Sequence, residues 1–178
     1  MGNEKTGGRL ISLDGADGET LRRAAKTLAV QNRPRGAVSQ WGASGIFDEL
    51  LAAGPGAGRP SMRTLLLLYA ADLAFRLRWE IKPALAEGRL LIVAPYVDTA
   101  VALGRAAGLD TQWLKNLFGF VPAPTERRHI KGPVRTKVDA GRGLVEYACE
   151  HTEGILSQRE LMQRTNAYLE GRRPRPRR

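Results

Sequence analysis

The chain has little cysteine, little histidine and no long apolar run. One cysteine in 178 residues, Cys149, excludes an internal disulfide. It sits amid a helical pattern and reads as a small core residue. Two histidines, His129 and His151, stand apart and give no zinc-ligand spacing, so no metal site is expected. The longest apolar runs, Leu65–Ala71 and Leu90–Pro95, fall far short of the roughly 20 residues a membrane helix needs. Residues 1–8 are polar and glycine-rich, without an apolar signal segment, and are expected to be flexible. With no export signal and one thiol, a cytoplasmic location is expected. Aromatics are scarce, and Trp41, Trp79 and Trp113 are too scattered to form a base-stacking platform. No internal repeat is present.

What is present is a hydrophobic fraction of 43%, enough for one core, and a formal net charge of +10. The pattern places one domain over residues 9–170 and an Arg/Pro-rich tail over residues 171–178. The tail arginines are Arg172, Arg173, Arg175, Arg177 and Arg178. Like charges repel and proline blocks helix formation, so the tail is expected to be disordered. Removing these five arginines leaves the chain basic, at about +5. A basic surface attracts nucleic acid or another polyanion. A merely solubilising tail is the plainer alternative.

Arg9–Leu13 is apolar and breaks at Asp14-Gly15-Ala16-Asp17-Gly18, a buried strand entering a turn. From Glu19 to Gln31 apolar residues recur at helical spacing, with Asp17 or Gly18 as the cap. Ala37–Gln40 suits a short strand, and Ser44–Ala53 a short helix. Ser61–Lys82 contains neither glycine nor proline and reads as one long, largely buried helix, with Pro83 kinking it or starting a further turn. Arg89–Val93 reads as a central parallel strand, apolar on both faces. Asp98–Ala107 and Thr111–Phe118 read as helices split by Gly108. Glu126–Lys131 is expected as a strand, Gly141–Glu150 as a helix, Gly154–Ser157 as a short strand and Arg159–Leu169 as a last helix. Alternating strands and helices indicate a parallel sheet covered on both faces.

Three stretches then carry a resemblance. They are Leu13-Asp14-Gly15-Ala16-Asp17-Gly18; Leu66–Asp72 followed by Ile81-Lys82-Pro83-Ala84-Leu85-Ala86-Glu87-Gly88; and Leu90–Val93 leading into Tyr96-Val97-Asp98-Thr99. Through them the chain resembles the bacterial thymidylate kinases along roughly Arg9–Val121, and more loosely to Leu169. The resemblance implies a three-layer α/β/α P-loop kinase fold with about five mostly parallel strands. It also implies a homodimer, and an activity using ATP and Mg²⁺ on a nucleoside monophosphate, dTMP.

The chain departs from that family where the chemistry sits. A phosphate-binding loop follows G-x-x-x-x-G-K-[ST]: glycines let N–H groups close on phosphates, the lysine reaches the β/γ-phosphates, and the hydroxyl binds Mg²⁺. Counting from Gly15, the second glycine is Thr20, the lysine is Leu21 and the hydroxyl is Arg22. Where the resemblance implies Asp-Arg-Tyr, the chain has Ala94-Pro95-Tyr96. Where it implies a phosphate-binding arginine after Ala-Ala-Asp, it has Leu73. The Tyr-Gln pair that meets the base falls at Leu103-Gly104. Catalysis in such enzymes is almost entirely positioning and charge stabilisation, one arginine being worth about 10³–10⁵ in rate. These losses imply a scaffold that has lost phosphoryl transfer, needs no cofactor and acts by binding. Candidate nucleotide contacts that remain are Gly15, Asp17, Gly18, Arg23, Arg35, Asp72 and Tyr96. Tyr96 also suits a packed core, and Asp72 a buried ion pair. Two alternatives stand beside this reading. One is an active kinase in which Arg23, Arg35 or Arg127 and Arg128 rebuild the phosphate site around ATP and Mg²⁺. The other is a nucleic-acid-binding protein working through its tail.

Overall fold

The computed structural model describes residues 7–33, 35–42, 58–134, 143–154 and 156–172. Strand β1 (Arg9–Asp14) runs beside β3 (Leu90–Ala94), with Arg9 opposite Leu90 and Ser12 opposite Val93. Strand β2 (Gly36–Gln40) pairs with the other edge of β3, and β4 (Glu126–His129) with the other edge of β1. The order is β2-β3-β1-β4, and every pairing is parallel.

Side chains alternate across this sheet. Leu10, Leu91 and Val93 enter one core layer, with Leu65, Leu66, Leu73, Leu103 and Leu114. Ile11, Leu13, Leu90, Ile92 and Ala94 enter the other, with Leu21 and Ala25 of helix α1 (Gly18–Gln31). This period of two is that of a strand buried on both faces. The expected strand–turn–helix opening is present, and Asp17 caps α1 by accepting from the Thr20 N–H at 2.8 Å.

The long helix is interrupted. Helix α2 (Met62–Arg76), capped by Ser61, widens into a π-helical turn at Leu77–Ile81 before the short helix α3 (Lys82–Ala86). Pro83 supplies the reason: it has no N–H for the preceding turn, and its ring crowds the carbonyl four residues back. Helices α4 (Val97–Ala106) and α5 (Thr111–Leu117) follow as expected, with Asp110 capping α5. Helix α6 spans Leu144–His151 and α7 spans Gln158–Leu169.

Among the described residues the sheet has four parallel strands, where about five mostly parallel ones were expected. Gly154, Leu156 and Ser157 form no strand, because this stretch is consumed in joining α6 to α7: the Thr152 hydroxyl donates to Ala148 O at the end of α6, and Ser157 caps α7. Arg127 and Arg128 are tolerated in β4 because it is an edge strand with one side in water. The expected helix at Ser44–Ala53 lies outside the described residues, as do Arg173, Arg175, Arg177 and Arg178. Among the described residues, no helix is long and apolar enough to cross a membrane, and no cluster of His, Cys, Asp and Glu suits a metal.

Candidate functional site

The end of β1 and the start of α1 form the loop in which a nucleotide kinase holds phosphate. Helix N-termini attract anions because their first N–H groups lack intrahelical partners. Here protein oxygens already occupy three of the N–H groups of the loop and first turn. The Gly15 N–H donates to Thr99 Oγ1 at 3.0 Å, the Thr20 N–H to Asp17 Oδ1 at 2.8 Å, and the Gly18 N–H to Glu146 Oε1 at 2.8 Å. Glu146 belongs to α6 and is 3% exposed. Its carboxyl oxygen fills the position at the helix terminus that an anion would take.

The chain is layered tightly over the loop. A Cβ at Gly15 would collide with the Ile130 carbonyl. A Cβ at Gly143, the residue before α6, would collide with the Glu146 carboxylate and come within 2.7 Å of Gly18 Cα. Glycine at 143 is what lets α6 reach this depth. Beside it, Trp41 at the exit of β2 packs on Tyr69 and Tyr147, with ring centroids 6.1 and 5.7 Å apart. Aromatic side chains thus fill the ground between β2 and α6.

Asp14 ties the loop to α4. Its Oδ1 accepts from the Tyr96 N–H at 3.0 Å, the Thr99 N–H at 2.8 Å and the Thr99 hydroxyl at 2.8 Å. The carboxylate therefore caps α4 from a different strand. Burial pushes its pKa up from 3.8 to about 6, against the hydrogen bonds that favour the charged form. Its Oδ2 is buried without a hydrogen-bond partner.

The residues singled out in the sequence fall into separate places. Gly15, Asp17 and Gly18 are together at the loop. Leu21 is 3% exposed and lies in the core with Ile11, Leu13 and Ala25, its Cδ2 packed beneath Gly15. Arg22 is half-buried on α1. Leu73 is buried in the core, and Ala94 and Pro95 are buried and joined by a cis peptide bond. Tyr96 is a buried tyrosine whose hydroxyl donates to Pro122 O at 2.8 Å. Arg23 is exposed, 3.5 Å from Glu19. Arg35 precedes β2 and so stands at the opposite end of the sheet from Gly15. Arg127 pairs with Asp98 at 2.9 Å and Arg128 with Glu126 at 2.6 Å. Of these arginines, Arg23 and Arg128 line one concavity with Thr20 and Ile130, whereas Arg35 stands at the other end of the sheet. Arg172 pairs with Glu170.

Asp72 is explained by a residue the sequence reading passed over, Arg76. The Arg76 side chain is 5% exposed, and its Nε donates to Asp72 Oδ2 at 2.8 Å. Its Nη1 donates to Ser39 Oγ at 3.5 Å, and Ser39 in turn donates to Glu80 Oε2 at 2.6 Å. Arg76 follows Leu73 by three residues on α2, but Asp72 and Glu80 leave this cluster without net positive charge. The four-residue spacing of Asp72 and Arg76 was a readable signal for the pair. Glu146 carried a weaker signal, a single acid within the apolar Leu144-Val145-Glu146-Tyr147-Ala148. Asp14 and Thr99 carried none, since their contact joins positions 85 residues apart. A cavity of about 390 Å³ opens elsewhere, between α4, α6 and α7, and no loop residue lines it.

A triphosphate with Mg²⁺ would find the Gly15, Gly18 and Thr20 N–H groups taken, the aliphatic Leu21 at the lysine position and Arg22 at the metal-hydroxyl position.

No family model matches the chain. It is 33% identical over 121 residues to the thymidylate kinase of Xanthomonas campestris pv. campestris, covering 66% of this chain and 53% of the relative. It is 27% identical over 150 residues to a probable thymidylate kinase of Pyrococcus abyssi, covering 74% of this chain and 68% of the relative. The chain spans about half the length of the first curated relatives it matches. Among solved structures, the thymidylate kinase of Ehrlichia chaffeensis superposes with a TM-score of 0.57 at 19% identity, covering 71% of this chain and 73% of that one. That of Candida albicans gives 0.57 at 17% identity, covering 93% and 76%.

Proposed function

We propose that this chain, which belongs to the thymidylate kinase family, has lost phosphoryl transfer and acts by binding, as a homodimer. The observation that carries this reading is the Glu146 carboxylate on the Gly18 N–H at 2.8 Å. An internal carboxyl oxygen holds the position that a donor nucleotide's phosphates would need. The added phosphate would compete with that oxygen for the same N–H, and Leu21 stands where the P-loop lysine would offset its charge.

The homodimer is supported by a stripe on α2 and the turn after it. Leu67, Ala71, Phe75 and Trp79 recur every four residues and are all exposed, Trp79 at 61%. Such a stripe on an otherwise capped and buried helix suits a second copy of the same surface. The tail arginines are proposed to add a contact to a polyanionic partner.

Calorimetry of the purified protein with ATP and Mg²⁺, followed by assay of phosphate transfer to dTMP, tests the reading. No heat of binding and no transfer are expected. Saturable ATP binding with turnover that is lost on Arg23→Ala would establish the opposite reading, an active kinase with relocated arginines.

A further inference from the structure

We propose that the end of the sheet opposite the glycine loop carries a second anion site, an oligophosphate-binding pocket formed by Arg9, Arg33, Arg35 and Arg89. These side chains line a concavity of about 360 Å³, together with Asn32 and the chain around Gly88. Among the described residues no acidic side chain lines it.

Strand register brings the charges together. Arg9 and Gly36 both pair with Leu90 of the central strand, so Arg9, Arg35 and Arg89 enter three adjacent strands at nearly the same level. Neighbouring strands are about 4.8 Å apart. Backbone hydrogen bonds hold the level: Arg9 N–H to Arg89 O at 3.0 Å, Leu90 N–H to Arg35 O at 3.2 Å and Arg89 N–H to Ala84 O at 3.0 Å. Arg33 is set by the turn that ends α1, where its N–H donates to Val30 O at 3.3 Å. The α1 carbonyls that face this end, and would repel an anion, are already engaged: Asn32 Nδ2 donates to Leu28 O, and its backbone N–H to Ala29 O.

Little in the protein offsets this charge. Arg9 has Glu126 at 3.7 Å and Arg89 has Glu87 at 3.8 Å, both long contacts between exposed side chains. Arg33 and Arg35 have no acidic partner among the described residues. Guanidinium groups offer paired N–H donors that match phosphate oxygens two at a time. Several of them around a small concavity suit adjacent phosphate groups on one short chain. Among the described residues no aromatic side chain lines the pocket to stack a base. That favours the phosphates alone over a nucleic-acid strand. The site is independent of the glycine loop, and its test does not depend on whether ATP binds there.

The full chain is titrated with sodium tripolyphosphate by calorimetry and by thermal melting, at low and at high salt. Saturable binding, a raised melting temperature and weakening by salt are expected. Arg33→Gln with Arg35→Gln, both at exposed positions, should weaken binding at least about tenfold while leaving the circular dichroism spectrum unchanged. Deletion of Arg172–Arg178 should leave it intact. Absence of binding, undiminished binding in the double variant, or loss on tail deletion would overturn the proposal. So would a single-stranded oligonucleotide bound through Arg33 and Arg35 when tripolyphosphate is not.

Discussion

Leu21 stands where an amine would have to reach a bound phosphate, yet its side chain packs with Ile11, Leu13 and Ala25. Leu21→Lys is therefore expected to bury an unpaired ammonium, not to restore a phosphate site. It should destabilise the protein by roughly 3 kcal/mol or more, read as a lowered urea midpoint, with no gain in ATP affinity by calorimetry. A stable variant that binds ATP would overturn this expectation. Asp14 makes a second case at this scale. Its pKa is about 6 in the folded protein against 3.8 ordinarily, so the folded state holds its proton more tightly than the unfolded chain. The stability this contributes is complete below about pH 4 and is lost as pH rises through about 6, by roughly 3 kcal/mol. Asp14→Asn keeps an acceptor at Oδ1 and removes the titration. Urea midpoints should show the variant gaining on the parent protein as pH is raised from about 4 to about 7.

Helices here are placed by what their ends touch. Helix α6 reaches α1 because Gly143 has no side chain and Glu146 meets the Gly18 N–H. Gly143→Ala forces a Cβ against that carboxylate and against Gly18, and is expected to cost about 1–3 kcal/mol by denaturant unfolding. An unchanged midpoint would mean that α6 is not held this closely. Helix α4 is capped from β1 by Asp14, although the preceding residue, Tyr96, offers no capping side chain. Helix α2 shows the converse, a local sequence overriding a helix pattern: Pro83 widens the turn before it at Leu77–Ile81. That turn carries Trp79 outward, with Arg78 over its ring at 5.3 Å.

For the whole molecule, the outward stripe of Leu67, Ala71, Phe75 and Trp79 and the net charge of +10 are the two features a partner would meet. If the stripe joins two copies, Phe75→Glu with Trp79→Glu should yield monomers by analytical ultracentrifugation where the parent chain sediments as a dimer. Both side chains are exposed, so the monomer should keep its fold. A parent chain that is monomeric at high concentration would remove the homodimer from the proposed function.

Much of this architecture was legible in the order of residues alone. Apolar runs such as Leu90–Val93 and helical spacing over Glu19–Gln31 specify local structure through side-chain period and capping, which act within a few residues. The missing lysine, hydroxyl and arginines were equally plain, since an absent residue type needs no geometry to be seen. Tertiary structure alone decided which atoms meet at the glycine loop. Glu146 lies 128 residues from Gly18, and Asp14 lies 85 from Thr99. The arginines at positions 9, 35 and 89 become neighbours only through strand register. Hydrogen bonding and Coulomb interaction act over a few ångströms of space, whereas periodicity reports only on neighbours along the chain. A contact between distant segments therefore leaves no local pattern to read.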